Sequence, residues 1–159
     1  MRVGIGYDAH RFGDARKNNT IRIGGVDIPS ERSIVAHSDG DVVVHALCDA
    51  ILGAAALGDI GRHFPDTDER WSSVDSLALL AACIIKVEER GLSFGNADIT
   101  LVAQQPRVSG YIEEMCRTMA HAIGCPTGDV SVKATTTEGM GFEGRGEGVA
   151  AHAVVLLAG

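Results

Sequence analysis

Aromatic side chains are scarce: Phe, Tyr and Trp make up 4% of the 159 residues. With 45% hydrophobic residues there is still material for a core, so that core must be aliphatic, built from Val, Ile, Leu and Ala. Cations are also short. Fourteen Lys and Arg stand against 21 Asp and Glu, a net charge of −7. This argues against a basic groove for nucleic acid, whose phosphates are held by Lys and Arg in number. An anionic small molecule remains open, provided that a metal ion or backbone N–H groups supply the attraction. CxxC pairs are absent. Cys48, Cys83 and Cys116 fall in helical patterns and read as small buried hydrophobes, with Cys125 beyond them. No apolar run is long enough to span a bilayer, and Met1-Arg2-Val3-Gly4 runs into a strand rather than a leader. The expectation is a soluble, reduced, cytoplasmic protein, or a plastid protein whose transit peptide has been removed. There is no Walker A pattern, no GxGxxG, no nucleophile elbow and no Ser-His-Asp order.

Strand and helix patterns alternate along the chain. Arg2 to Gly6 predicts a short strand ending in Tyr7-Asp8-Ala9-His10, and polar 11–19 predicts a loop. Thr20 to Ile28 predicts a hairpin about Gly24-Gly25, closed by Pro29. Helices are expected over about 42–57, over 74–90 with a stop at Gly91, and from about Ile112 to a stop at Gly124. Strands are expected over 96–103, over 130–134 and over 149–157, with a glycine-rich loop over 135–148. No linker or repeat divides the chain, so residues 1–159 read as a single catalytic domain. The fold class is α/β, of the two-layer α+β type: a mixed four-stranded sheet with helices on one face plus a small N-terminal hairpin. The uncovered sheet face calls for oligomerisation.

Asp8 and His10 stand two apart at a strand end, so both side chains leave the same face. With His45 they make an Asp-His-His set for zinc with a fourth position open, the signature of a catalytic or substrate-binding ion. Asp41, His45 and Asp49 recur at four-residue spacing on one helix face. Asp41 and Asp49 are therefore supporting candidates behind the ligands, with Asp49 placed to accept the second ring N–H of a ligating histidine. A single histidine or a lone DxH pair carries little weight. The group counts because Asp8, His10, His37, Asp39, Asp41, His45 and Asp49 crowd into two short stretches.

Lys133-Ala134-Thr135-Thr136-Thr137-Glu138 leaves a strand end and enters the glycine-rich loop. Hydroxyls, exposed N–H groups and one Lys suit phosphate oxygens, and Glu138 suits a hard divalent ion. An ordinary polar strand-to-loop passage has the same composition. His63, His121 and His152 fit no constellation.

Six motifs in order carry a resemblance over nearly the whole chain. They are 6–12 (GYDAHRF), 37–41 (HSDGD), 53–60, 64–68 (FPDTD), 103–106 (AQQP), and 133–138 (KATTTE) with Gly141-Phe142 and 144–148 (GRGEG). In these the chain resembles the methylerythritol cyclodiphosphate synthases. The resemblance implies a homotrimer with the sheets packed together and active sites between chains. It implies a lyase of non-mevalonate isoprenoid synthesis that cyclises a cytidine diphosphate-linked substrate and releases CMP. Asp8, His10 and His45 would bind Zn2+, which holds the β-phosphate. Glu138 would bind a second divalent cation, Mg2+ or Mn2+. His37 and Ser38 would contact the 2-phosphate and erythritol. Asp59, Ile60 and Gly61 would meet the ribose, and Phe64, Pro65, Asp66, Thr67 and Asp68 would line a mobile loop. Ala103, Gln104, Gln105, Pro106, Arg107, Val108 and Ser109, with Thr135, Thr136 and Thr137, would form the cytosine and phosphate pocket. Phe142, Arg145 and Glu147 would line the trimer axis, and His37 and Thr136 would assist catalysis by screening phosphate charge. A zinc phosphoesterase, or a metal-stabilised nucleotide-binding trimer without turnover, would use the same residues.

Overall fold

The computed structural model describes residues 1–36, 38–65 and 74–159, with Asn18 described by its backbone alone. The elements run β1 (Arg2–Ile23), β2 (Val26–Ile34), α1 (Val42–Ala54), α2 (Ile60–His63), α3 (Ser76–Glu88), β3 (Ser93–Val102), α4 (Ile112–Ile123), β4 (Val130–Thr135), α5 (Gly141–Gly144) and β5 (Gly148–Ala158). The architecture is mixed α/β. One sheet has the order β2-β1-β5-β3-β4, with β3 and β4 parallel and the other pairs antiparallel. Among the described residues no helix is long and apolar enough to cross a membrane.

The sheet has five strands, not four with a separate hairpin. The expected loop over 11–19 is strand. β1 pairs with β5 from Arg2 to Arg11 and then with β2 from Phe12 to Ile23. Beyond Arg11 the ribbon has only two strands and two register shifts, so alternating hydrophobicity is not required there and the sequence signal is lost. Nor does Pro29 close the hairpin: β2 continues through it to Ile34. β2 lies at the sheet edge, where a missing N–H costs no ladder bond. The turn itself is as read, with Gly24 at φ +62 and Gly25 at φ +77. Helix α1 stops at Ala54, short of position 57, because Ala56 turns to φ 57. Cys116, expected to be buried, is half-buried, while Cys48 and Cys83 are fully enclosed.

The helices cover one face of the sheet. On that face Gly4 and Gly6 of β1 lie against the backbone of α1; a Cβ on Gly4 would stand 2.0 Å from Ala50 O, and one on Gly6 1.9 Å from Ala46 O. Ala46, Ala50 and Ala54 recur every four residues, so α1 offers β1 a stripe without bulk. Among the described residues no helix covers the opposite face. Val3 pairs across to Leu156, Ile5 to Val154 and Tyr7 to His152, with Ile5 73% and Val3 69% exposed.

Candidate metal centre and phosphate cradle

Gly4, Gly6, Asp8 and His10 are alternate residues of β1, so all four share the helix-covered face. The two glycines admit the body of α1. The two larger residues emerge at its N-terminal turn and meet His45. Asp8, His10 and His45 each offer one ligand atom, and these atoms lie within 4.8 Å of one another. His10 Nε2 stands 3.0 Å from Asp8 Oδ2 and 3.2 Å from His45 Nδ1, and His45 Nδ1 stands 3.1 Å from Asp8 Oδ2. Two ligands held tetrahedrally by a divalent ion at 2.0–2.1 Å are about 3.3 Å apart. The near-equilateral triangle therefore fits one face of such a tetrahedron, with the fourth vertex left for another ligand.

The pocket is electrostatically set for a cation. Burial would raise the Asp8 carboxyl, but hydrogen bonds and charge from His10 and His45 hold it well below the usual carboxylate range. Burial would lower His45, yet the bond to Asp8 and the nearby Asp8, Asp41 and Asp39 charges leave it raised. The centre opens into a cavity of about 290 Å³ lined by Val35, Ala36, Ser38, Ile60, Gly61 and Phe64 among others. Larger hollows of 610 and 720 Å³ lie along β2, but among the described residues neither contains a cluster of metal-ligating side chains.

Two expected supporting roles change. Asp41 does not reach a metal ligand. It is completely buried, caps α1 through Val44 N at 3.1 Å, and accepts from Gly24 N at 2.8 Å and Gly25 N at 2.6 Å, tying the hairpin turn to the helix. Burial pushes its carboxyl up against those three donors. Asp49 accepts from Ile60 N at 2.8 Å and so anchors α2, rather than taking a ring N–H from His45. The second nitrogen of His45, Nε2, faces Ser76 Oγ at 2.9 Å and Ser38 Oγ at 3.4 Å. Ser76, missed in the sequence, is fully buried at the start of α3, where a serine ordinarily signals nothing beyond a helix N-terminus.

Asp59 caps α2 through Arg62 N at 2.9 Å, next to Ile60 and Gly61 at the cavity wall. Phe64 is buried at the same wall, with Pro65 following it. His37, Asp66, Thr67 and Asp68 lie outside the described residues. Of the unassigned histidines, His63 meets Leu57 O at 2.9 Å, and His152 lies 4.9 Å from the Tyr7 ring on the bare face.

The second group assembles around its own cavity. Ala103, Gln104, Gln105, Pro106, Arg107, Val108 and Ser109 line about 320 Å³ together with Ala134, Thr135 and Thr136. Parallel pairing of β3 with β4 sets the two strand ends side by side, Val102 opposite Thr135. The Gln105-Pro106 peptide is cis. Thr136 Oγ1 donates to Glu138 Oε1 at 2.9 Å, and Glu138 sits in the left-handed region at φ 54. Thr137 donates to Met140 O, fixing the next turn. Phe142 lies in α5, and the Arg145 guanidinium meets Glu147 at 2.7 Å on the surface.

The donor set thus makes a candidate divalent-metal centre with one side open, and a separate hydroxyl-rich group lies at another strand end. A profile of the YgbB family matches residues 1–158. The 2-C-methyl-D-erythritol 2,4-cyclodiphosphate synthase of Methylococcus capsulatus (strain ATCC 33009 / NCIMB 11132 / Bath) is 57% identical over 158 residues, 99% of this chain and 98% of that protein. The enzyme of the same name from Aliivibrio salmonicida (strain LFI1238) is 54% identical over 99% of this chain and 97% of its own length. Among solved structures, a CDP-bound 2C-methyl-D-erythritol-2,4-cyclodiphosphate synthase matches with a TM-score of 0.89 at 36% identity, covering 99% of this chain and all of that one. The bifunctional IspDF of Campylobacter jejuni matches with a TM-score of 0.91 at 43% identity, covering 98% of this chain and 42% of that longer protein. The chain belongs to the YgbB family.

Proposed function

We infer that the protein is a cyclising, CMP-releasing lyase of isoprenoid precursor synthesis. It converts 4-diphosphocytidyl-2-C-methyl-D-erythritol 2-phosphate to 2-C-methyl-D-erythritol 2,4-cyclodiphosphate. The observation that carries this reading is the open Asp8-His10-His45 centre in a chain that matches its named relatives end to end. The substrate's 2-phosphate oxygen forms a bond to the β-phosphorus, the bridge to the α-phosphate breaks, and CMP departs with that oxygen. The nucleophile is already an anion, so no general base is required. The obstacle is repulsion between phosphates, which positioning and charge screening overcome.

Asp8, His10 and His45 hold Zn2+, and Glu138 holds Mg2+ or Mn2+. Bound there, the two ions would neutralise phosphate charge as Lewis acids. Thr136 already meets the Glu138 carboxylate, and the left-handed backbone at Glu138 is the kind of local strain that functional sites retain. Thr136 and His37 are catalytic by supplying donors to the phosphates. Ser38 contacts the 2-phosphate, and the ribose lies against Asp59, Ile60 and Gly61. Phe64 to Asp68 contact the erythritol, and 103–109 with 135–137 take the cytosine and the phosphates.

The active site is shared by two chains of a homotrimer. Sheet register supports this. Ala9, Ala150, Val102 and Thr135 stand in one row across β1, β5, β3 and β4. Three strand spacings separate the ends of that row, roughly 14 Å. One diphosphate is too short to reach from one strand end to the other, whereas the cradle of a neighbouring chain could lie beside the residues that would hold the zinc. The bare face at Val3, Ile5, Tyr7 and Val154 is the surface to bury, with Phe142, Arg145 and Glu147 around the axis. The whole chain acts as one catalytic domain in the cytoplasm. The curated relatives named above are bacterial, and nothing in them supports a plastid location.

Incubation with the cytidine diphosphate-linked substrate tests the reading. Phosphorus NMR should show the cyclic diphosphate and CMP in equal amounts. A linear product would make the protein a phosphoesterase, and bound but unconverted nucleotide would make it a binding protein.

A further inference from the structure

His45 has a partner on each ring nitrogen. Nδ1 faces Asp8 and His10. Nε2 faces Ser76 Oγ at 2.9 Å, in a setting where Ser76 is fully buried and His45 is 5% exposed. Ser76 is itself held at two points by Asp39: its backbone N donates to Asp39 Oδ2 at 2.9 Å, and its hydroxyl donates to Asp39 Oδ1. Asp39 in turn accepts from Asp41 N at 3.2 Å, which fixes it just before α1 begins. Every link is assigned by donor and acceptor capacity. The carboxylate can only accept, so the serine proton points to Asp39. The serine oxygen then offers a lone pair to the ring, so Nε2 carries the hydrogen and Nδ1 keeps the lone pair that a metal requires.

We propose that Ser76 and Asp39 are positioning residues for the metal centre, an Asp-Ser-His relay that fixes the tautomer and ring orientation of His45. The relay deepens the metal reading above and rests on it. A direct carboxylate partner is the common way to orient a ligating histidine. Here the direct partner is a hydroxyl, and the carboxylate stands one step behind. The relay also joins three separate segments: the turn before α1, α1 itself and the first residue of α3. Loss of the hydroxyl would leave the Nε2–H with only the longer contact to Ser38 Oγ at 3.4 Å, and Asp39 Oδ1 with only the Asp41 N–H.

Zinc affinity measured by chelator competition, with a long-range proton–nitrogen NMR spectrum of the zinc-loaded protein, tests the assignment. Ser76→Ala should weaken zinc by about 10- to 100-fold, as losses behind a ligand do. Asp39→Asn should weaken it less, because an amide oxygen can still accept from Ser76. The wild-type spectrum should show His45 bonded to zinc through Nδ1, with a slowly exchanging Nε2–H. This spectrum needs no variant, so it decides the matter even if Ser76→Ala does not fold. Unchanged zinc affinity in folded Ser76→Ala, or zinc on Nε2, overturns the relay while leaving the metal centre standing. A wild-type protein that binds no zinc overturns both.

Discussion

Gly6 lies flat against Ala46: a Cβ on Gly6 would stand 1.9 Å from the Ala46 carbonyl oxygen and 2.7 Å from Ala50 N. Both neighbours are backbone, so neither can swing aside as a side chain would. The contact fixes the distance from β1 to α1, and with it the distance from Asp8 and His10 to His45. Gly6→Ala should therefore cost about 3 kcal/mol or more and disperse the metal triangle. Urea unfolding and zinc content measure the two effects. A stable variant with full zinc would mean that the close approach is not required.

Asp41 is expected to act on stability, not on the metal. Asp41→Ala removes the acceptor of three backbone N–H groups, those of Gly24, Gly25 and Val44. A lost cap plus buried donors without partners should lower unfolding free energy by roughly 3 kcal/mol. Asp41→Asn, which keeps one acceptor, should lose less. Denaturant midpoints give the order, and a surviving zinc content at low denaturant separates this role from that of a ligand.

The two metal sites should respond separately. His45→Ala should lose the zinc, because two remaining ligands cannot hold it. Glu138→Gln should keep the zinc but demand far more Mg2+ or Mn2+ for turnover, since its carboxylate is the acidic group beside Thr136. Metal analysis and activity against added metal are the measurements. An unchanged Mg2+ requirement would take Glu138 out of the site.

Two inactive variants should rescue each other. In a trimer with shared sites, His45→Ala supplies an intact cradle and Glu138→Ala an intact metal centre. Unfolded together in equal amounts and reassembled, they should restore roughly a quarter of the sites, because each of two adjacent chains is drawn independently. Each variant alone must stay inactive, and sedimentation must confirm mixed trimers. If verified mixed trimers recover nothing, both halves belong to one chain.

The sequence by itself determined the three long helices, though not the four-residue α2 and α5, together with the Gly24-Gly25 turn, the strands around the core and the three ligand candidates, because each rests on local rules. Period-two spacing put Asp8 and His10 on one face. The 11–19 strand was not legible, since a two-stranded ribbon without a helix layer imposes no hydrophobic alternation. Only the tertiary structure decided which carboxylates serve which partners. Asp41 and Asp49 share the spacing of His45, yet one ties down the hairpin turn and the other anchors α2. Ser76, more than thirty positions away, closes on the ring instead. Helical spacing fixes direction from an axis, but the partner met in that direction depends on segments distant in sequence, which meet only when Gly4 and Gly6 let α1 settle onto the sheet.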